Sequence, residues 1–489
     1  MNRLSRRTLE DVPSRVAPPP AAALDAGVGI VHLGLGAFHR AHQAIMTQRA
    51  LAAVPGPWAI SGASLRGTAV RDALRPQDCL YSLIEDDGVE ERASVVGIVR
   101  EALWAPGEGD ALLARLAAPA TRVVTLTVTE KGYCHNPATG ELDLAHPDIA
   151  ADLAGGEGPP RSTLGWLVRG LERRKDAGAG GLTVLCCDNM ASNGRTLRGL
   201  ARQFAERLDP GLAGWVEDRV RFPSSMVDRI VPAATPASLE RAATLLGLRD
   251  EAAVGGEAFA QWVIEDDFAA GRPAWEAAGA ELVRDVAPYQ EMKLRLLNGA
   301  HSAVAYLGAL LGLTHVADVM ADRDLARFVE RLMLDDIAPL AAPPPGADLA
   351  GYARALLRRF ANPSVRHRTL QIAMDGSQKI PVRWLPTLRE ARRRDLPVPH
   401  LVTALAAWLR FIEGHDEAGR DLPLDDPLAG RLRGALAPAA GDPAAVARAA
   451  LAVEEVFGRD LREDEVLVGQ LTAALTRITR AGVRAALPA

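Results

Sequence analysis

Cysteine is scarce in this chain. Its 489 residues include four, Cys79, Cys134, Cys186 and Cys187, and no two stand in a C-x-x-C spacing. That spacing excludes a zinc knuckle and a disulfide framework, and a reducing cytoplasm is the expected compartment. Clustered Cys and His ligands are also missing, so neither a structural nor a catalytic metal is expected. No apolar run is long. AVAYLGALLGL at 303–313 is too short to cross a bilayer and reads as a buried helix. The opening MNRLSRRTLEDV is basic but carries no apolar core, which speaks against a secretory signal. Charge of one sign is lacking too. With 56 basic and 61 acidic side chains interspersed, the net charge is −5, and charge gives no reason to expect nucleic acid or a membrane as partner.

What is present has a clear order. The length suggests more than one domain, and 48% hydrophobic content supplies a large core. VGIVHLGLGAFHRAH (28–42) reads as strand, glycine turn and helix. WAISGASL (58–65), TRVVTLTVTEKGY (121–133) and GGLTVLCCDN (180–189) read as three further strands with helical segments between them. Strands alternating with helices predict an α/β, Rossmann-like domain with a parallel-rich sheet covered on both faces. After about residue 285 the chain reads as helices only, among them EMKLRLLNGAHSAVAYLGALLGL and LVTALAAWLRFIEG. The expected division is an α/β domain over 1–285 and a mostly α-helical domain over 286–489.

Gly34 and Gly36 stand where a dinucleotide fold places its first two glycines, one for the tight turn and one for backbone approach to a pyrophosphate at the helix N-terminus. The usual third glycine is missing, and His39 takes its place. The acid that commonly ends the second strand is missing as well. Arg66 and Gly67 stand there, and the nearest acid is Asp72. An arginine at that point can meet a 2′-phosphate, so NAD and NADP both remain open.

Polar residues close the other strands: Thr129, Glu130, Lys131 and Gly132 on the third, Asp188 and Asn189 on the fourth. Ligands in open α/β sheets bind at such carboxyl ends. FPSSMVDRIVPAATP (222–236) adds Asp228-Arg229 in an apolar frame, which also fits a buried structural ion pair. YQEMKLRLLNGAH (289–301) offers Tyr289 and Lys293 in a Tyr-x-x-x-Lys spacing, with Asn298 and His301 beyond. At about 100° per residue, His301 and Asn298 fall about 80° and about 140° round a helix from Lys293, on one side of it.

Together GLGAFHRAH, LTVTEKGY, CCDNMASNG, FPSSMVDRIVPAATP, QWVIEDDFAAGRPAWE, MKLRLLNGAHS and MDGSQKIP resemble the long-chain, zinc-independent polyol dehydrogenases, in the same order, over roughly 28–385. The resemblance implies an active site between a Rossmann-like domain and a helical one. It implies Lys293 as general acid/base, Asn189 and Asn298 holding the substrate oxygen, and His301 hydrogen-bonding the substrate. Asp228 would support the site and Lys379 would touch the substrate. Gly34, Gly36, Phe38, His39, Arg66 and Glu130 are the expected cofactor contacts, with NAD as cofactor and NADP not excluded.

Within that family the likeness is to the uronate-reducing members, which interconvert D-mannonate and D-fructuronate. Mannitol- or arabinitol-type polyol oxidation is the alternative. A buried carboxylate needs a cation, ideally a forked arginine, and Lys131 with Arg366 or Arg368 are the candidates. The expected partner is therefore a small sugar acid or polyol, and the chain a monomer or simple homo-oligomer. A lysine base must lose its charge part of the time, so Leu294, Leu296 and Leu297 are expected to desolvate Lys293, and Arg229 or Arg295 to add positive potential. The Tyr-x-x-x-Lys pair of short-chain dehydrogenases is the competing assignment. Here it follows nearly 290 residues and opens a helical region, so the proton is assigned to Lys293 and Tyr289 to packing.

Overall fold

The computed structural model describes residues 1–136, 139–156 and 158–488. It divides into two compact units, Met1–Ala287 and Pro288–Ala489.

The first unit is organised by a six-stranded sheet in the order Val99–Trp104, Ala59–Ser64, Val28–Leu33, Val123–Leu126, Leu182–Cys186, Val220–Arg221. Every pairing in it is parallel. Val28–Leu33 lies inside, and its near-continuous apolar sequence follows from burial on both faces. Ile30 packs in one layer with Ala44, Ile45 and Leu51, while Val31 and Leu33 pack in the opposite layer with Leu164, Leu167 and Leu197. The strands expected at 28, 58, 121 and 180 are all present.

Two smaller sheets were not visible in the sequence reading. One pairs Val16–Ala17, Glu91–Val96, Tyr81–Asp86 and Val254–Glu257; the other pairs Ser225–Asp228, Gln261–Glu265 and Glu281–Val283. A hairpin signal for the first was available. Asp87-Gly88 joins two antiparallel strands whose register runs Asp86↔Glu91. The others are short strands whose partners lie far away in sequence, so no local pattern marks them.

The second unit has only helical regular elements among its described residues. Gly299–Leu310 is its hub, with all twelve residues buried. The helix entering that hub departs from the expectation. Ala287–Met292 and Gly299–Leu310 are α-helical, but Lys293–Asn298 between them is a π-helix. The angular spacing computed at α-helical pitch therefore fails here. Hydrogen bonds that close from i to i+5 bring Asn298 a single turn on from Lys293. Such π segments are short, rare and frequent at functional sites.

Candidate active site

In the first unit, the strand Val28–Leu33 delivers the chain into Gly34-Leu35-Gly36. Gly34 has φ +98°, and a Cβ there would lie 2.1 Å from the Thr127 carbonyl oxygen, so only glycine fits. A Cβ on Gly36 would meet nothing nearer than 3.7 Å, which leaves open space beside the backbone. That is the cradle a dinucleotide pyrophosphate requires, and the residues present fit the cofactor. The helix after the loop is less regular than expected. It runs over Ala37–Ala41, breaks at His42 and resumes as Gln43–Ala53.

His39, at the missing third glycine, is fully buried and stacks on His32 with ring centroids 3.4 Å apart. His32 is anchored by Thr125 Oγ1 at 2.8 Å and Thr127 Oγ1 at 3.0 Å. Burial pushes His32 down to about 3 and His39 well below the usual imidazole range, so both rings are neutral. Phe38 stacks on His42 at 5.2 Å. Arg66 is exposed, and its carbonyl accepts a 2.9 Å hydrogen bond from Trp104 Nε1. Asp72 is held by Arg71 at 2.6 Å, so its carboxylate is already engaged.

The third and fourth strand ends are joined by one side chain. Asp188 accepts from the Val128 amide at 2.9 Å, the Thr129 amide at 3.1 Å and the Tyr133 hydroxyl at 2.7 Å. Those bonds stabilise Thr129 at φ +68°, a strained conformation for a β-branched residue, and set the direction of the exposed Glu130 and Lys131. Asn189 follows directly and is exposed. Asn193 closes the cluster from behind, donating to the carbonyls of Asp188 at 2.9 Å and Ser225 at 2.9 Å. Ser225 begins the strand that ends in Asp228, which is 6% exposed. The sequence reading named Asp188 at the fourth strand end but gave it no role; the structure shows it tying the third strand end to the fourth. Its signal was the run Cys187-Asp188-Asn189 at a buried strand terminus.

Arg229 corrects two expectations. Its guanidinium is fully buried and pairs with Glu85 at 2.6 Å, not with Asp228. It also donates to the carbonyls of Ala41 and Glu257. With its charge matched, it is not available to add positive potential beside a lysine. Arg295, the other candidate, is neutralised by Glu291 at 2.8 Å.

In the second unit, Lys293 is 7% exposed and His301 9%. Burial, followed by the charges of His367, Arg383, Arg359 and Lys379, holds His301 well below the usual imidazole range. Its ring stacks on Phe360 at 5.0 Å and meets the His367 ring edge-on at 4.9 Å. His301 Nε2 is enclosed without a hydrogen-bond partner among the described residues, the condition expected of a group that meets a ligand.

Lys379 donates to the carbonyls of Met374 at 2.5 Å and Ile372 at 3.1 Å. Burial and the nearby Arg383 lower it to about 8. Arg383, four residues on in Gly376–Arg383, donates through Nη1 to the Asn298 carbonyl at 3.2 Å and Ser302 Oγ at 2.9 Å. Sequence reasoning missed Arg383, because Pro381 reads as a helix break while the helix runs through it. Arg366 and Arg368, chosen as carboxylate contacts, are exposed; of the run RHR only His367 faces the cluster.

Among the described residues, no group of three His, Cys, Asp or Glu side chains could hold a metal ion, and no helix is long and apolar enough to cross a membrane.

Comparison with known proteins agrees with this layout. Residues 28–277 match the mannitol dehydrogenase Rossmann domain, and 285–479 match the mannitol dehydrogenase C-terminal domain. The chain is 44% identical to the uncharacterized oxidoreductase YeiQ of Escherichia coli (strain K12), over 94% of this chain and 93% of that one. It is 41% identical to the D-mannonate oxidoreductase of the same organism, over 93% and 94%. A solved structure of Pseudomonas fluorescens mannitol 2-dehydrogenase, a ternary complex with NAD and D-mannitol, superposes with a TM-score of 0.85 at 35% identity, over 99% of this chain and 98% of that one. The chain belongs to the mannitol dehydrogenase family.

Proposed function

We propose that this chain catalyses the NAD-dependent interconversion of D-mannonate and D-fructuronate, with Lys293 as the general acid/base. NAD, when bound, supplies the hydride acceptor in the oxidative direction and NADH the donor in the reductive one; Gly34 and Gly36 would hold its pyrophosphate. Lys293 takes the proton of the substrate hydroxyl during oxidation and returns it to the ketone oxygen during reduction. Asn189 and Asn298 donate hydrogen bonds to that oxygen as it becomes an alkoxide, each worth about 3 kcal/mol in the transition state. His301, neutral and with Nε2 unspent, hydrogen-bonds a substrate hydroxyl. Asp228 supports the arrangement, and Lys379 and the strand-end Lys131 supply positive charge to the substrate.

The observation that carries the sugar-acid reading is electrostatic. Around His301 lie Lys379 and Arg383, and among the described residues neither forms an ion pair with a carboxylate. Such a cluster suits an anionic substrate better than a neutral polyol, because an unmatched buried charge is costly until a counter-charge arrives. The D-mannonate oxidoreductase relative supports the same reading. Mannitol or arabinitol oxidation is the second reading, favoured by the likeness to the enzyme solved with D-mannitol.

Steady-state assays with D-fructuronate and D-fructose, each with NADH and NADPH, test the proposal. Turnover of D-fructuronate with NADH at far higher kcat/KM than D-fructose is expected. Equal rates on the neutral ketose would remove the sugar-acid assignment, and a strict need for NADPH would make Arg66 a 2′-phosphate contact.

A further inference from the structure

We propose that Arg383 is the carboxylate anchor of this enzyme, with its Nε–Nη2 edge forming a forked pair with the acid group of the substrate. This rests on the sugar-acid reading above and names the residue that would enforce it.

Three observations lead to Arg383. Its hydrogen bonds to described residues all leave from Nη1, to the Asn298 carbonyl and Ser302 Oγ. Nε and Nη2 have no partner among the described residues, and neither is among the enclosed nitrogens that lack one. The side of the guanidinium that makes two parallel bonds to a carboxylate is therefore unspent. Second, the group is largely desolvated, which lowers it to about 10. It stays charged at neutral pH, and its charge is weakly screened. Third, Nη1 is tied to the end of the π-helical turn that carries Lys293 and Asn298. An acid held on the other edge would be referenced to the same turn as the acid/base lysine. Arg366 and Arg368 lack the second and third of these properties, since both are exposed and, among the described residues, neither guanidinium bonds to the π-helical turn.

Neighbouring charges sharpen the case. Lys379 lies one turn earlier on the same helix and adds positive potential, while Asp375 and Asp426 act on Lys379 from a distance without an ion pair. His301 and His367 are both held below the usual imidazole range and contribute no charge at neutral pH.

The test uses calorimetric binding of D-mannonate to the NADH-loaded full chain, for wild type, Arg383→Gln and Arg383→Lys, beside melting curves and NADH affinity. Losing a forked charge-assisted pair should weaken D-mannonate binding roughly 10- to 100-fold in Arg383→Gln. Arg383→Lys should fall between, because an ammonium keeps the charge but not the fork. NADH affinity and folding of Arg383→Lys should stay at wild-type values. D-mannonate affinity unchanged in both variants overturns the anchor while leaving the sugar-acid reading intact. So does a glutamine variant that fails to fold beside a lysine variant that binds D-mannonate like wild type, since the role is then structural. If the wild-type protein neither binds nor turns over either sugar acid, the sugar-acid reading falls and the anchor falls with it.

Discussion

Tyr133 and Asp188 belong to different strand ends, and a 2.7 Å hydrogen bond joins them inside the fold. The same carboxylate receives the amides of Val128 and Thr129. Burial raises Asp188 above the usual carboxylate range, while the three donors pull the other way. Replacing it with asparagine puts an NH2 group where an acceptor is needed and leaves a buried amide unpaired. Asp188→Asn should therefore cost about 1–3 kcal/mol of stability, read from the urea midpoint. It should also lower kcat/KM, because the loop bearing Glu130 and Lys131 and the adjoining Asn189 lose their register. Tyr133→Phe removes one donor and should cost about 1 kcal/mol. An asparagine variant with unchanged midpoint and activity would show that the loop is fixed by other contacts.

The two loop glycines should separate fold from cofactor. Gly34→Ala drives a methyl into the Thr127 carbonyl and forces a side chain into φ +98°. A loss of about 1–3 kcal/mol is expected, visible as a lower melting temperature without any ligand. Gly36→Ala meets no such wall, so its melting curve should match wild type while its NADH affinity drops. Equal stability losses in both variants would contradict a cradle held open at Gly36.

Lys293 and Tyr289 make a cleaner contrast. A general acid/base contributes roughly 10²–10⁴-fold to rate. Lys293→Ala should lose that much kcat while still binding NADH, and Tyr289→Phe should remain within a few-fold of wild type. The reverse order of effects would move the proton to the tyrosine.

Much of this architecture was legible in the sequence because it rests on local patterns. The apolar run before Gly34, the Val- and Thr-rich strands and the 3.6-residue apolar spacing after residue 285 are each set within a dozen residues. What escaped depends on distant partners. The Arg229–Glu85 pair joins residues 144 positions apart, so Arg229 read as the neighbour of Asp228. The π-helical turn at Lys293–Asn298 carries no signature that separates it from an α-helix, and α-helical pitch misplaced Asn298. Arg366 and Arg368 drew attention as a basic run, yet both are exposed, while Arg383, near the Lys379 already picked out, went unread because Pro381 reads as a helix break.

The buried pair makes its own prediction. Arg229 and Glu85 are both enclosed, and the guanidinium also holds the carbonyls of Ala41 and Glu257. Glu85 also holds Arg49 at 2.5 Å, so losing Arg229 leaves the carboxylate one cation. Losing Glu85 strands the fully buried guanidinium, and a stranded buried charge typically costs about 3–5 kcal/mol. Glu85→Gln should unfold at markedly lower denaturant, and Arg229→Met should lose less because Glu85 keeps Arg49. Near-native stability of Arg229→Met would mean the pair is replaceable by apolar packing.

Lys379 gives the pH dependence. Burial and Arg383 lower its amine from 10.5 to about 8, opposed by Asp375 and Asp426. In the folded chain it therefore sheds its proton between pH 8 and 10.5, where the unfolded chain still holds one. For this group alone, stability rises with pH across that window, and the desolvation cost is fully present below it. Substrate binding has the opposite sign. An acid group nearby favours the ammonium form, so binding takes up a proton, and affinity falls as pH rises through 8. D-mannonate Kd measured by calorimetry should weaken several-fold from pH 7 to 9 in wild type, while His301 and His367, both held low, add no transition there. In Lys379→Gln the affinity should start weaker and stay flat across that range. A variant that keeps the wild-type slope would assign the titration to another group.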